Sequence, residues 1–359
     1  MAFPSRARRG APWLALCAAL ALPATDALAV RKPRGAPALS DAAPDIVTYG
    51  RREDVMRFAD EAAAQHGLDA DWARAALAQS RFVPSVAKFI MPPPAGTAKN
   101  WAAYRGRFID AARIQAGLDF WQANDDWLRR AEERFGVPAE IVVGIVGVET
   151  IYGRQTGGFR VIDALATLAF DFPAGRKDRS AFFRDELGQF LRLCRREGLD
   201  PLEPRGSYAG AIGMPQFMPS SILRYGIDFD GDGHVDLHRS TADVIGSVAH
   251  YLAQFGWQPG LPTHFAVAAP VDAGDRAALL GPDIVPLFSP EEFAERGAVL
   301  DAAARAVPGK LALIELQNGA AAPSYVAGTT NFYAITRYNW SSYYALAVIE
   351  LGAAVRARR

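Results

Sequence analysis

The sequence predicts a mainly α fold of the α+β kind, with a small β-rich insertion at about 262–330. Three observations lead there. Apolar residues recur at helical spacing over 52–66, 70–79, 101–122 and 122–135. The central stretch from 136 to 261 continues in the same manner. After Pro262 the pattern changes to short β-prone runs, and a last helix from Ser341 to Ala354 follows them.

The elements follow in order. Asp69-Ala70-Asp71 supplies an N-cap and an acidic first turn, and Pro92-Pro93-Pro94 breaks the helical pattern. Pro138, after Gly136, stands where a helix can start. Ser180 is placed to cap a helix reaching Arg196. Thr241 is placed to cap another from Ala242 to about Phe255, which Gly256 ends. The strands are His264–Ala268, Leu311–Leu316 and Ser324–Ala327, with a short helix opening at Pro290 between them. No internal repeat appears.

The 359 residues suit two or three packed lobes. Half are hydrophobic and 22% charged, which excludes a disordered chain. Lys+Arg and Asp+Glu both number 39, so no basic field points to nucleic acid. The N-terminus reads as a secretory signal peptide over 1–29. Arg6, Arg8 and Arg9 precede an apolar run from Pro12 to Ala24, too short to span a membrane, and Ala27-Leu28-Ala29 supplies the cleavage pattern. Its removal takes away three Arg and one Asp and leaves 36 basic and 38 acidic residues. Cys17 raises a lipid anchor as the alternative, but Leu16 is not the small residue that such a site wants before the Cys. Cleavage after Ala29 into a soluble product is therefore expected. Residues 30–45, rich in Pro and Ala, read as a linker. Cys194 then remains as a single thiol, a small buried hydrophobe rather than a nucleophile.

Two segments carry chemistry. In Ile141-Val142-Val143-Gly144-Ile145-Val146-Gly147-Val148-Glu149-Thr150 every helix face is apolar, so the helix is expected to be buried and Glu149 with it. Burial and the negative end of the helix dipole both favour a protonated carboxyl, which protonation of a leaving oxygen requires. Taken alone, the segment fits a structurally bonded Glu equally well. Ser207 to Ser220 is the second. Gly210, Ala211 and Gly213 permit close backbone approach, Gln216 offers donors and acceptors, and Phe217 and Met218 offer apolar surface. Alone, it reads as a turn before a helix.

Together the segments resemble the membrane-bound lytic murein transglycosylase B family. The resemblance rests on Val148-Glu149-Thr150-Ile151-Tyr152-Gly153, Gly210-Ala211-Ile212-Gly213, Gln216-Phe217-Met218-Pro219-Ser220 and Arg337-Tyr338-Asn339, with Asn100-Trp101 and Tyr104 upstream, and covers about 45–354. It implies an N-terminal helical domain at 46–135, a lysozyme-like catalytic core from 136–261 and 331–356, and the β-rich domain at 262–330. It implies cleavage of the β-1,4 bond between N-acetylmuramic acid and N-acetylglucosamine with 1,6-anhydromuramoyl products. Glu149 matches the catalytic acid/base, Ser207 a group bonded near it, and Gln216 a sugar contact. Tyr251, Tyr338 and Asn339 match cleft-lining groups. An ordinary glycosidase needs a second carboxylate. None lies three or four residues from Glu149, and Asp163, Asp171 and Glu186 sit in more polar sequence settings. That favours the muramoyl C6 hydroxyl as nucleophile over a hydrolysing muramidase or a silent wall-binding protein. The expected setting is the periplasm of a Gram-negative bacterium. The expected partners are peptidoglycan strands and cell-wall synthesis proteins, and the chain is expected to act as a monomer.

Asp228-Phe229-Asp230-Gly231-Asp232-Gly233-His234 repeats the opening of an EF-hand loop, with carboxylates at positions one, three and five, Gly at six and the His234 carbonyl at seven. Arg239 stands where the bidentate Glu belongs. The resembling family closes a longer loop with a later Asp, which makes Asp243 the counterpart. A structural Ca²⁺ or Na⁺ over 228–243 is expected, and no cofactor for catalysis. Arg176, Lys177 and Arg179 form a basic cluster that fits either a solvated face or a site for stem-peptide carboxylates.

Overall fold

The computed structural model describes residues 48–92 and 99–359. The signal peptide, linker, Cys17 and Pro93-Pro94 lie outside them. Sixteen α-helices and six strands follow in chain order among the described residues. They are α1 (Glu53–His66), α2 (Ala70–Ala78), α3 (Pro84–Phe89), α4 (Trp101–Arg105), α5 (Ala111–Ala123), α6 (Asp125–Phe135), α7 (Ala139–Thr150), β1 (Phe159–Arg160), α8 (Val161–Phe170), α9 (Ser180–Glu197), β2 (Arg205–Gly206), α10 (Pro219–Tyr225), α11 (Thr241–Gln254), β3 (His264–Ala268), α12 (Ala273–Leu280), α13 (Pro290–Glu295), β4 (Val299–Leu300), α14 (Ala302–Arg305), β5 (Ala312–Asn318), β6 (Ala321–Gly328), α15 (Thr330–Thr336) and α16 (Ser342–Arg356). No helix among them is long and apolar enough to cross a membrane.

Local chemistry explains the boundaries. Asp69 caps α2 by accepting from the Trp72 N–H. The helix expected over 101–122 is two, because the chain leaves helical geometry after Arg105 and Asp110 caps a fresh start by accepting from the Arg113 N–H. Ser240, not Thr241, caps α11 through the Asp243 N–H. Thr241 instead donates its hydroxyl to the Asn124 side chain. Ser180 opens α9, and Asp178 takes its backbone N–H.

The chain forms two compact units that follow a different division from the segments read along the sequence. In the first, residues 48–91 join 159–210. Helix α8 is its core: Val161 to Ala169 is buried throughout and lies against α9 and α3. Asp171 accepts from Tyr49 Oη (2.5 Å) and from Arg52 Nη1 (2.8 Å), tying the start of this unit to the end of α8. Asp163, at 6% exposure, takes a two-pronged bond from Arg160 and the Arg81 N–H.

In the second unit, residues 99–158 join 211–359. Helix α7 is nearly all apolar and is covered by α16, α5, α6 and α11. Its contact with α16 is backbone to backbone. A Cβ on Gly144 would stand 2.2 Å from the Val348 carbonyl oxygen, and one on Gly352 2.0 Å from that of Glu140. The insertion follows α11 as the sequence predicted, but it carries three helices beside the strands. Its sheet is antiparallel in the order β4-β3-β6-β5, with His264 opposite Gly328 and Ala312 opposite the same residue from the other side. Leu279, Phe293, Leu300, Leu311 and Leu313 form its own apolar core.

Gly144→Ala should cost about 1–3 kcal/mol or more, because the added methyl meets a carbonyl that cannot yield. Urea unfolding measures it, and a loss under about 0.5 kcal/mol would contradict the close helix contact. A second expectation concerns pH. Burial, opposed by weaker acidic neighbours, holds the His238 and His264 imidazoles below the ordinary value. The unfolded chain binds these protons at about pH 6.5, the folded chain only at lower pH. Their contribution is thus whole above about pH 6.5 and is lost as pH falls toward the folded values. His264→Gln keeps a polar partner for Thr263 without titrating. It should flatten the fall in Tm between about pH 7 and 5; an unchanged slope would exclude His264.

Candidate active site

Glu149 stands one residue from the end of α7. Residues 141–148 and Thr150 are buried as expected, but Glu149 itself is only half-buried. This corrects the expectation that Glu149 is buried with its helix while Asp163 and Glu186 sit in more polar settings. Glu186 (1% exposed), Asp163 and Asp243 (0%) are all more enclosed. Glu186 is enclosed because it lies on the apolar face of amphipathic α9, together with Phe183, Leu187 and Phe190.

The helix ends sharply. Ile151 and Tyr152 both take left-handed φ values (52° and 56°), as does Gly153. Two consecutive non-glycine residues in that region are held only by surrounding structure. Thr150 provides one hold: its Oγ1 donates to the Met214 carbonyl (2.8 Å) and accepts from the Gly153 N–H (3.0 Å). The Tyr152 ring provides the other. Its hydroxyl lies where Cβ atoms on Gly117 and Gly147 would be, so both glycines are required for it to fit. That hydroxyl is buried without a hydrogen-bond partner among the described residues, and burial pushes its pKa well above the ordinary phenol value.

Tyr344, in the first turn of α16, donates its hydroxyl to Glu149 Oε1 at 2.6 Å. The bond fixes the carboxylate's direction and joins α7 to a residue 195 positions away. Sequence reading passed over Tyr344. The available signal was a Tyr pair at the head of an otherwise apolar helix, just after Asn339.

The segment after Ala211 forms a tight loop. Ile212 and Phe217 exchange backbone hydrogen bonds (2.8 and 3.2 Å), and Gly213 passes so near the Leu237 carbonyl that a Cβ would lie 2.4 Å from it. Gln216, also left-handed (φ 53°), sits in the loop half-buried. Its amide nitrogen donates to the carbonyls of Thr156 (3.1 Å) and Gly213 (2.9 Å). Both N–H groups are thereby engaged, and Oε1 remains as an acceptor for a ligand's donor.

Tyr338 and Tyr251 frame this loop from below. Tyr338 Oη donates to the Pro215 carbonyl (2.6 Å) and Tyr251 Oη to the Arg337 carbonyl (2.7 Å). Their rings meet each other at 4.9 Å and both meet Phe217. Tyr338 also stacks on Tyr344 (6.3 Å, 17° between planes). Both are buried, so each acts by holding the loop and Tyr344 in place. Asn339 is half-buried in the turn before α16, where its carbonyl accepts from the Ser341 N–H (2.6 Å). Glu149, Gln216, Tyr251, Tyr338 and Asn339 thus belong to one unit. Ser207 belongs to the other, where its Oγ accepts from the Ala209 N–H (3.3 Å).

The basic cluster is in that same other unit. Arg176 donates to the Ile90 carbonyl, and Arg179 lies 4.5 Å over the Phe182 ring. Burial, and then the charge of Arg176, lower the Arg179 pKa. Cys194 is buried, and burial pushes its thiol up to about 12, so it is no nucleophile at neutral pH.

The acidic loop brings carboxylate oxygens of Asp228, Asp230 and Asp232 within 4.8 Å of one another. Asp228 accepts from the N–H groups of Gly231, Asp232 and Gly233, and these bonds, Gly233's first, hold its pKa below the carboxylate range. Asp232 accepts from the His234 N–H. Asp243 is fully enclosed and bridges the loop's two ends, taking the N–H groups of Phe229 and Asp236 (2.8 Å each). A compact, all-oxygen donor set suits a hard cation such as Ca²⁺ or Na⁺. The three Asp near one another would otherwise repel.

The unit thus holds a half-buried carboxyl bonded by a phenol and a loop whose Gln216 amide nitrogen is engaged, leaving the amide oxygen as an acceptor. Residues 50–353 match the Transglycosylase SLT domain family. Membrane-bound lytic murein transglycosylase B of Escherichia coli is 37% identical over 327 residues, covering 87% of this chain and 85% of that protein. The catenated lytic transglycosylase SltB1 of Pseudomonas aeruginosa superposes with a TM-score of 0.77 at 40% identity, over 87% of this chain and all of that one. Escherichia coli Slt35 in complex with calcium gives 0.74 at 36% identity over 87% and 95% of the two chains. Pseudomonas aeruginosa SltB3 in complex with NAG-NAM-pentapeptide gives 0.72 at 30% identity over 86% and 80%. The chain belongs to the transglycosylase SLT-domain family and is an enzyme of the lytic transglycosylase type.

Proposed function

We propose that the protein cleaves the β-1,4 bond between N-acetylmuramic acid and N-acetylglucosamine in peptidoglycan, with Glu149 as the single acid/base and a 1,6-anhydromuramoyl end as product. The observation that carries this reading is the half-exposed Glu149 carboxyl at the end of a buried helix, aimed by Tyr344. Glu149 donates its proton to the glycosidic oxygen, and the C1–O bond breaks. The carboxylate then takes the proton of the muramoyl C6 hydroxyl while that oxygen bonds C1. The proton returns to Glu149, and no water is consumed. Gln216 Oε1 accepts a hydrogen bond from the sugar. Asn339 adds a polar group, and Tyr251 and Tyr338 hold the loop beneath it. The family resemblance also implies a substrate-binding role for Ser207.

The chemistry draws on no cofactor. Asp228, Asp230, Asp232 and the His234 carbonyl hold a structural Ca²⁺ or Na⁺, and Asp243 closes the loop behind them. The ion's role is to cancel repulsion and fix the 228–243 segment. The protein is exported to the periplasm by its N-terminal signal and acts as a soluble monomer on glycan strands, alongside cell-wall synthesis proteins. The Arg176–Arg179 cluster suits the carboxylates of the stem peptides.

Glu149→Gln should keep the fold, since the amide still accepts from Tyr344, and lower muropeptide release by about 10²–10⁴-fold. A folded variant working at the normal rate would refute the assignment. Mass spectrometry of wild-type digests should show anhydro ends; reducing ends would indicate a hydrolase instead. Calcium should raise the Tm and a chelator should reverse the rise, by about 2.7 kcal/mol of added stability at 100 times the Kd. Asp230→Asn should weaken that response. No rise with calcium or sodium would remove the ion from the loop.

A further inference from the structure

The unit that contains Glu149 also holds a mainly polar cavity of about 220 Å³. Its wall includes Lys99, Asp283, Glu315, Gln317, Ser342 and Tyr343. A cavity of this volume accommodates an amino-acid-sized group.

The charges in the wall are not used up by the protein. Lys99 and Asp283 make no ion pair among the described residues, with each other or with Glu315. Glu315 has only neutral donors: Gln317 Nε2 on Oε1 (3.3 Å) and Tyr325 Oη on Oε2 (2.9 Å). These fix its direction and leave its charge. Tyr343 is pinned too, since its hydroxyl accepts from the Gln317 N–H (2.8 Å) and donates to the Gln317 carbonyl (3.1 Å). The Lys99 backbone is held by the β5–β6 turn, where its carbonyl accepts from the Gly319 N–H. Asp283 keeps a left-handed backbone (φ 58°).

A cavity lined by one cation and two anions selects its ligand by charge. A second anion meets net repulsion. A simple cation leaves Lys99 unmatched, and a neutral sugar leaves all three. A group with an ammonium and a carboxylate on a short carbon chain satisfies both signs. We propose that this cavity binds such a zwitterionic group, its ammonium against Asp283 and Glu315 and its carboxylate against Lys99. In the proposed murein substrate, this group is the free amino-acid end of a stem peptide; that identification rests on the function proposed above. Tyr343 in the cavity wall and Tyr344 on Glu149 both belong to the first turn of α16.

The test combines binding and turnover. Diaminopimelic acid, the binding probe, should shift NMR signals of the wild-type protein, and Asp283→Asn with Glu315→Gln should abolish the shifts. Asn tolerates the left-handed backbone, and Gln still accepts from Tyr325. In turnover, acetylating the stem amines of sacculi should lower wild-type kcat/KM on the order of tenfold, the usual scale of one lost charge contact. The double variant should digest native and acetylated sacculi alike. On glycan strands stripped of stems it should match the wild type, which also shows that it folds. The proposal is overturned by absent probe binding, by a wild type indifferent to acetylation, or by a variant equally slow on stripped strands. A wild type that binds the probe but forms no anhydro product from any substrate would refute the proposed function and leave the cavity assignment standing.

Discussion

The backbone contact between α7 and α16 is the constraint on which the site depends. Gly144 and Gly352 let each helix press against a carbonyl of the other, at Val348 and Glu140. Helices at that separation permit little sliding or rotation, because any larger residue collides with backbone. The rigid pair carries the carboxylate on one member and its phenol on the other, so the 2.6 Å bond between Glu149 and Tyr344 is set by helix packing. Positioning a reactive group on packed helices gives finer control than positioning it on a loop.

The remaining groups divide into those that hold and those that present. Thr150, Tyr251 and Tyr338 direct their hydroxyls to backbone carbonyls of neighbouring turns. They convert a glycine-rich loop, which would otherwise sample many conformations, into a single one. The half-buried polar groups that remain beside them are few: the Glu149 carboxyl, the Gln216 amide oxygen and Asn339. Gln216 shows the division within one side chain, with nitrogen holding and oxygen presenting.

Much of this was legible in the sequence. The apolar run ending at Glu149 announced a buried helix, and the β-prone runs after Pro262 marked the insertion, because both are local patterns with a fixed period. The failures were of two kinds. Caps and breaks turn on a single side chain, so Ser240 displaced Thr241 and the 101–122 stretch divided at Arg105. Burial of individual acids turns on tertiary packing, so Glu186 and Asp163 proved more enclosed than Glu149. Tyr344 was missed for the same reason: nothing local in the chain tells that a tyrosine meets a carboxylate nearly two hundred residues upstream.

That separation has a consequence for when the protein becomes active. Glu149 and Tyr344 lie 195 positions apart, and α7 finds the glycine face that seats it only on α16. A ribosome makes α7 long before α16 exists. The emerging chain therefore carries the carboxyl without the phenol that aims it, and the ability to cut arises late, when the distant helix docks. For an enzyme whose proposed substrate is the wall of the cell that makes it, tying competence to the final stage of folding is a built-in delay.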